Sequence, residues 1–372
     1  MTSEHANLTM TVSIALIVKD EEKTLGPCLA SLAGAVDEIV VVDTGSTDAT
    51  KAVASRYTDR IFDFAWCDDF SAARQNAFDH ATGDWVGWVD ADDVVAGAEK
   101  IRGLAAAVPS DVGAIWWRYA MDFDPAGQPQ CQFWRERLVR NDGSWRWQGR
   151  IHEVLVTDRS WQTVRQPEVW VEHYSPPGRD QRRLQRNIAL MQAELAETGD
   201  RPDPRLLFYL GRDLHSAGRT EEALATYERY LRLSTWDDER YLAQTAVAAM
   251  LRTLGRFDDA IDADLQAIKL KPRWPDAYFG LAQTSYFVGK WADVVHWCDI
   301  ARRLPAPETD HILNLAAYQH QWIIYYTNAL YHLSRPVEAL NWTERALSMQ
   351  PDDPWHRQNA AFFAELVETG NQ

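Results

Sequence analysis

At 372 residues the chain is too long for one ordinary domain and long enough for two with separate cores. Its 38 Lys and Arg against 54 Asp and Glu give a formal charge of -16 without a basic run, which argues against nucleic acid or anionic lipid as partners. Cys28, Cys67, Cys131 and Cys298 are scattered with no C-x-x-C pair, so neither a zinc site nor a disulfide framework is suggested and reduced, cytoplasmic thiols are expected.

Residues 1–10 are polar and read as a disordered N-terminus rather than a signal peptide, and no apolar run is long enough to span a bilayer. V-S-I-A-L-I-V (12–18) predicts a buried strand, Lys23 to Ala33 a helix and E-I-V-V-V-D (38–43) a second strand. G-S-T-D-A-T (45–50) suits a capped helix start, with the helix over Asp48 to Arg56. R-I-F-D-F (60–64) predicts a third strand, Ser71 to Ala81 a helix and W-V-G-W-V-D (85–90) a fourth strand. This alternation implies a mostly parallel, Rossmann-like α/β sheet. Aromatic-rich strands then follow at 114–121, 132–139, 146–156 and 168–173, as a mixed or antiparallel extension.

From about Pro176 onward helices dominate. A-G-R-T-E-E-A-L begins at 217, L-G-R-F-D-D-A-I at 254, V-G-K-W-A-D-V-V at 288 and L-S-R-P-V-E-A-L at 333. The first three starts are 37 and 34 residues apart, close to the tetratricopeptide period of about 34. Ala223, Ala260 and Ala339 recur five positions after the small turn residue, and Pro272, Pro305 and Pro351 fall near the ends of second helices. The expected organisation is an α/β domain over 11–176, a connecting helix over 177–202 and an all-α repeat domain over 203–372, with a longer unit between 305 and 330.

Open α/β sheets bind ligands at the carboxyl ends of their strands. The first strand ends at Lys19-Asp20-Glu21-Glu22, the second at Asp43 followed by Thr44-Gly45-Ser46-Thr47-Asp48, and the fourth at Asp90-Ala91-Asp92-Asp93. Three acidic clusters on one sheet edge repel one another unless a hard divalent cation and a ligand with NH and OH donors offset them. Helix capping fully explains Asp48, whereas a buried strand delivers Asp90–Asp93 to the edge.

I-V-K-D-E-E-K-T-L, V-V-V-D-T-G-S-T-D-A-T and G-D-W-V-G-W-V-D-A-D-D together resemble the N-terminal half of family 2 inverting glycosyltransferases with the GT-A fold. W-C-D-D-F-S-A-A-R (66–74), R-I-H-E (150–153), V-E-H-Y (171–174) and R-R-L-Q-R-N (182–187) resemble members fused to tetratricopeptide repeats. Relatives of that group include enzymes that glycosylate peptides, among them the sublancin-type cysteine glycosyltransferases.

The resemblance implies a nucleotide-sugar donor, with uridine diphosphate as the expected carrier. It implies donor contacts from Lys19, Glu21, Asp43, Ser46, Arg74, Asp90, Ala91 and Asp92. It further implies Mg²⁺ or Mn²⁺ held by Asp92, with Asp93 and His173 as further ligands. Inversion needs a base, for which Glu153 is the first candidate and His152 the second; on a strand the two would face opposite sides. Relatives read Arg-Asn where this chain has Arg74-Gln75-Asn76, which leaves the role of Asn76 open. Trp66, Trp116, Trp117, Trp134, Trp145 and Trp147 either line a sugar or acceptor groove or, as the simpler reading, fill the core. The repeats would recruit a peptide, protein or glycan acceptor, or mediate self-association as a homodimer. An inactive transferase-like scaffold is the alternative, against which the complete acidic set argues. A nucleotidyltransferase would carry a Gly-rich basic loop where Lys19-Asp20-Glu21-Glu22 stands.

Overall fold

A computed structural model describes residues 10–125, 127–174, 180–199 and 202–370; of the segment 1–10 it therefore describes Met10 alone. The chain divides into two compact units, Met1–Thr198 with Asp310–Ile312, and Gly199–Thr309 with Leu313–Gln372.

The first unit alternates as its hydrophobic pattern predicts. β1 (Val12–Val18), α1 (Leu25–Leu32), β2 (Glu38–Asp43), α2 (Thr50–Ala54), β3 (Ile61–Asp63), α3 (Phe70–Asp79) and β4 (Trp85–Trp88) follow in order. Next come β5 (Asp93–Ala96), α4 (Ile101–Ala107), β6 (Val112–Phe123), β7 (Pro129–Arg140), β8 (Trp145–Gln148), β9 (Val154–Thr157), β10 (Gln162–His173) and α5 (Asp180–Thr198). Within this unit the main sheet runs β3-β2-β1-β4-β7-β6-β10-β5. β3 through β4 are parallel, β7 is antiparallel to both β4 and β6, and β10 is parallel to β6 but antiparallel to β5. Gly87 permits the β4–β7 contact, because a Cβ there would lie 2.6 Å from the Arg137 carbonyl oxygen.

Side-chain alternation along β1 builds a core on each face. Ile14 and Leu16 pack with Leu29, Ile101 and Trp117, while Ala15 packs with Val40, Val42, Phe78 and Trp88 on the other side. Trp117 and Trp147 are buried in these two cores, as the simpler reading of the tryptophans expects.

One expected element is overturned. The strand predicted over 146–156 is a hairpin, β8 paired antiparallel to β9. Gly149 at φ 96° and His152 at φ 53° turn the chain between them. Positive φ at two positions is incompatible with an extended strand, so the opposed-face argument for His152 and Glu153 does not apply.

The second unit stacks helix pairs: α6 (Pro204–Ser216) with α7 (Thr220–Leu233), and α8 (Asp237–Thr253) with α9 (Phe257–Leu270). α10 (Asp276–Phe287) with α11 (Trp291–Ala301), α12 (Ile323–His332) with α13 (Pro336–Met349), and α14 (Pro354–Gly370) complete it. The recurring phrase is a recurring helix stop. Gly218, Gly255, Gly289 and Ser334 all take left-handed φ, between 59° and 74°. The next residue's N–H then bonds five residues back: Arg219 to Leu214, Arg256 to Leu251, Lys290 to Ser285 and Arg335 to Leu330, at 2.8–2.9 Å. That is the Schellman stop. Five positions after each turn residue, Ala223, Ala260, Val294 and Ala339 are fully buried where the next helix packs. The second unit is a tetratricopeptide array, with a π-helical turn at Ala317–Gln321 inside the longer interval.

Candidate active site

The acidic edge is assembled by the ends of β1, β2 and β4, with β5, β7 and β10 beneath. At the end of β2, Asp43 is buried and its Oδ1 accepts the N–H groups of Gly45 and Ser46, both at 2.8 Å. Its Oδ2 is buried without a hydrogen-bond partner among the described residues. An unpartnered buried carboxylate oxygen costs free energy unless a ligand supplies a donor. The β1 and β2 loops are laced together: Asp20 N–H donates to Ser46 Oγ at 2.9 Å, Thr47 N–H to Asp20 Oδ1 at 2.7 Å and Glu21 N–H to Thr50 Oγ1 at 2.7 Å. Lys19 stands exposed beside this lacing. Asp48 stands one residue ahead of the α2 N-cap, Ala49, and accepts the N–H groups of Thr50 at 2.9 Å and Glu22 at 3.1 Å, so it joins the lacing rather than capping the helix.

Beyond β4 the four-residue acidic segment is sorted by its partners. Arg74, on the buried face of α3, donates from Nη2 to Asp90 at 2.7 Å and from Nε to Glu153 at 2.5 Å. Its guanidinium lies 4.5 Å from the Trp88 ring centroid and 5.3 Å from that of Trp147. Burial opposes charge on Asp90, but Arg74 and then Arg137 outweigh it and hold the carboxyl well below its ordinary range. Gln75 Oε1 accepts the Trp147 N–H at 3.1 Å, so the residue that separates Arg74 from Asn76 ties α3 to β8. Ala91 is buried, and Cys28 donates its thiol to the Asp90 carbonyl at 3.3 Å from the core side.

Asp93 opens β5 and is fully buried. It accepts Tyr119 O–H at 2.9 Å and the Asp90 N–H at 3.0 Å, lies 3.0 Å from His173 Nδ1 and has Arg137 Nη1 at 3.9 Å. Asp92 is half-buried, with its Oδ1 3.6 Å from His173 Nδ1. Burial, and then Asp90, Asp93 and Glu21, push its carboxyl up to about 6 even though His173 works the other way. His173 is itself raised: burial opposes its charge, but the Asp93 hydrogen bond and the Asp92, Asp93 and Asp90 carboxylates prevail. Asp92, Asp93 and His173 each offer a ligand atom within 4.8 Å of the others. Oxygen and imidazole donors at that spacing fit a hard or borderline divalent cation.

Glu153 follows the turn between β8 and β9; Arg135 binds its carbonyl oxygen at 2.8 Å while Arg74 holds its carboxylate. His152 is half-buried on the same turn. The turn itself is fastened to the start of α3, where Ser71 Oγ donates to the Gly149 carbonyl at 2.5 Å and Phe70 N–H to the Arg150 carbonyl at 2.9 Å.

Residues 13–152 match the family model described as glycosyl transferase family 2. They are a family 2 glycosyltransferase domain. A TPR repeat-containing protein of Synechococcus elongatus is 33% identical over 68% of this chain and 64% of its own length. The SPbeta prophage-derived glycosyltransferase SunS of Bacillus subtilis is 24% identical over 72% of this chain and 64% of its own length. The lipopolysaccharide core biosynthesis glycosyltransferase LpsC of Rhizobium meliloti is 27% identical over 51% of this chain and 74% of its own length. The chain thus spans just under two thirds, 64%, of the first two of these relatives. The glycosyltransferase domain has the GT-A arrangement of a Rossmann-like sheet, and the tetratricopeptide array follows it in the chain. Among the described residues, no helix is long and apolar enough to cross a membrane.

Sequence reasoning missed three side chains of this site: Trp88, Tyr119 and Arg137. Trp88 carries Arg74 and Arg137 against its ring, Tyr119 binds Asp93, and Arg137 lies beneath both rings. The sequence did not single out Arg137, because β7 carries Arg135, Glu136 and Arg137 in a row and only the fold buries the last two.

Proposed function

We propose that the chain is a metal-dependent inverting glycosyltransferase that moves a sugar from a nucleotide-sugar donor, of the uridine diphosphate class, to a peptide, protein or glycan acceptor recruited by the repeats in the cytoplasm. The observation that carries this reading is Asp92 beside His173 and Asp93, on the same sheet edge as the unpartnered Asp43 Oδ2. Asp43 would accept from the N–H of the base, and Lys19, Glu21, Ser46, Ala91 and Asp90 would line the nucleotide. Asp92 and His173 would hold Mg²⁺ or Mn²⁺, with Asp93 as the carboxylate that orients them. The cation supplies Lewis-acid stabilisation of the departing diphosphate. Arg74 holds the Glu153 carboxylate in place, where Glu153 would take the acceptor's proton as the new bond forms. His152 on the same turn is the second candidate base.

The test is calorimetric titration of uridine diphosphate sugars into the full chain with and without Mn²⁺, followed by donor hydrolysis. Binding is expected to require the metal, and Asp92→Asn is expected to abolish the metal dependence and the turnover. Equal binding by wild type and variant, or metal-independent hydrolysis, overturns the assignment.

A further inference from the structure

Arg137 has no role in the reading above, yet it is one of the most completely buried charges in the domain. Its side chain is 2% exposed and lies 3.9 Å from Asp93, which is 0% exposed. The guanidinium sits 3.8 Å from the Trp88 ring centroid and 4.8 Å from that of Tyr119. Nη1 donates to the Trp88 carbonyl at 3.2 Å, whereas Nε makes no hydrogen bond among the described residues. A buried cation with an unmet donor is costly, and an apolar side chain of similar volume would fill the space at less cost. At 3.9 Å the link to Asp93 is Coulombic rather than a hydrogen bond.

The neighbouring charges are already committed. Glu136 is paired with Arg135, and Arg74 spans Asp90 and Glu153. Asp93 is surrounded on both oxygens by Tyr119, His173, the Asp90 N–H and Arg137. Two arginines therefore offset Asp90, Asp93 and Glu153, whereas Asp92 lies nearest His173.

We propose that Arg137 is a positioning residue: a fixed, buried counter-charge against Asp93 that offsets part of the carboxylates' attraction for a cation, and so limits how tightly the cation at Asp92 and His173 is bound. This rests on the metal-dependent reading above. A like charge this deeply buried beside Asp93 repels a divalent ion there, and even with water-like screening the repulsion weakens binding by about tenfold.

The experiment measures Mn²⁺ affinity and melting temperature of the full chain at pH 8 and low salt, for wild type, Arg137→Met, Arg137→Gln and Arg137→Lys. The uncharged variants are expected to bind Mn²⁺ at least about tenfold more tightly and to melt lower without metal, with much of that loss restored by saturating Mn²⁺. Arg137→Lys keeps the charge and is expected to stay within about twofold of wild type. A folded uncharged variant with unchanged or weaker affinity overturns the inference, as does a Lys variant that shifts as far as the uncharged ones. Should Arg137→Met not fold, the Gln and Lys pair decides by the same criterion; should neither uncharged variant fold even with Mn²⁺, a structural role is indicated and the inference fails. A wild type that binds no Mn²⁺ overturns the metal reading itself, which separates that failure from this one.

Discussion

Replacing Arg74 with Met removes the one guanidinium that spans Glu153 at 2.5 Å and Asp90 at 2.7 Å. Met fills much of the same space, so the loss is mainly electrostatic. Breaking a buried ion pair from one side costs about 3–5 kcal/mol, and each ring contact with Trp88 and Trp147 adds roughly 0.5 kcal/mol. Asp90 retains 35% side-chain exposure and is partly screened by water, while Glu153 retains only 11%, so Glu153 carries most of the penalty. The net expectation is about 2–4 kcal/mol at pH 8, a fall of roughly 5–12 °C in the melting of the N-terminal unit. In wild type the Asp90 carboxyl is lowered, so its contribution is present above the unfolded value and lost only as pH falls through the folded one. In the variant Asp90 keeps Arg137 but loses its larger counter-charge, so burial raises its carboxyl relative to wild type, it protonates sooner on acidification and the deficit shrinks toward pH 5. Scanning calorimetry of the full chain at pH 8 and pH 5 gives both numbers, with Arg74→Lys as the charge-retaining control. A deficit below about 1 kcal/mol, or one equal at both pH values, would refute the electrostatic account and leave only lost packing.

Three further substitutions test other parts of the structure. Asp92→Asn should stabilise the metal-free protein at pH 8 by about 1–3 kcal/mol while removing Mn²⁺ binding; the raised Asp92 carboxyl, at about 6, is penalised only as pH rises above its ordinary value, so no gain is expected at pH 4 on calorimetry. Gly280→Ala should lower the stability of the repeat unit by about 1–3 kcal/mol in urea unfolding, because its Cβ would lie 2.4 Å from the buried Asp264 carboxylate that pairs with Arg252. Ser334→Gly should raise the stability of the same unit by about 0.5–1 kcal/mol, because Ser334 alone among the four repeat stops holds left-handed φ with a Cβ.

The parallel strands and the acids at their ends were legible because buried apolar runs deliver them to one edge. V-S-I-A-L-I-V, E-I-V-V-V-D and W-V-G-W each form a strand close to its predicted bounds. The repeat was legible because one backbone requirement, a left-handed stop, recurs with the same phase. The hairpin at 145–157 was not, since R-W-Q-G-R-I-H-E-V-L-V alternates as a strand does. Gly149 was the signal for a turn, but His152 takes positive φ with no local reason in its residue type. β5 was hidden for a different reason: its four residues begin with Asp93, which reads as part of the acidic loop.

The site's main hidden property is how its charges are shared. By residue type Asp90, Asp92, Asp93 and Glu153 are interchangeable acids, and their spacing cannot rank them. Their counter-charges come from elsewhere in the chain: Arg74 from α3, on the opposite side of the sheet core from α1, and Arg137 from β7, which reaches β4 only because Gly87 lets the strands close. Coulomb energy depends on those distances and on burial, neither of which one-dimensional spacing contains. With Asp90 and Glu153 committed to Arg74 and Asp93 to Arg137, what remains at the edge is Asp92, whose proton affinity is raised first by burial and then by the Asp90, Asp93 and Glu21 carboxylates, against His173. The part of that shift due to neighbouring carboxylates is a negative field that attracts a divalent cation as it attracts a proton, and this is where an acidic protein needs one to accept a diphosphate.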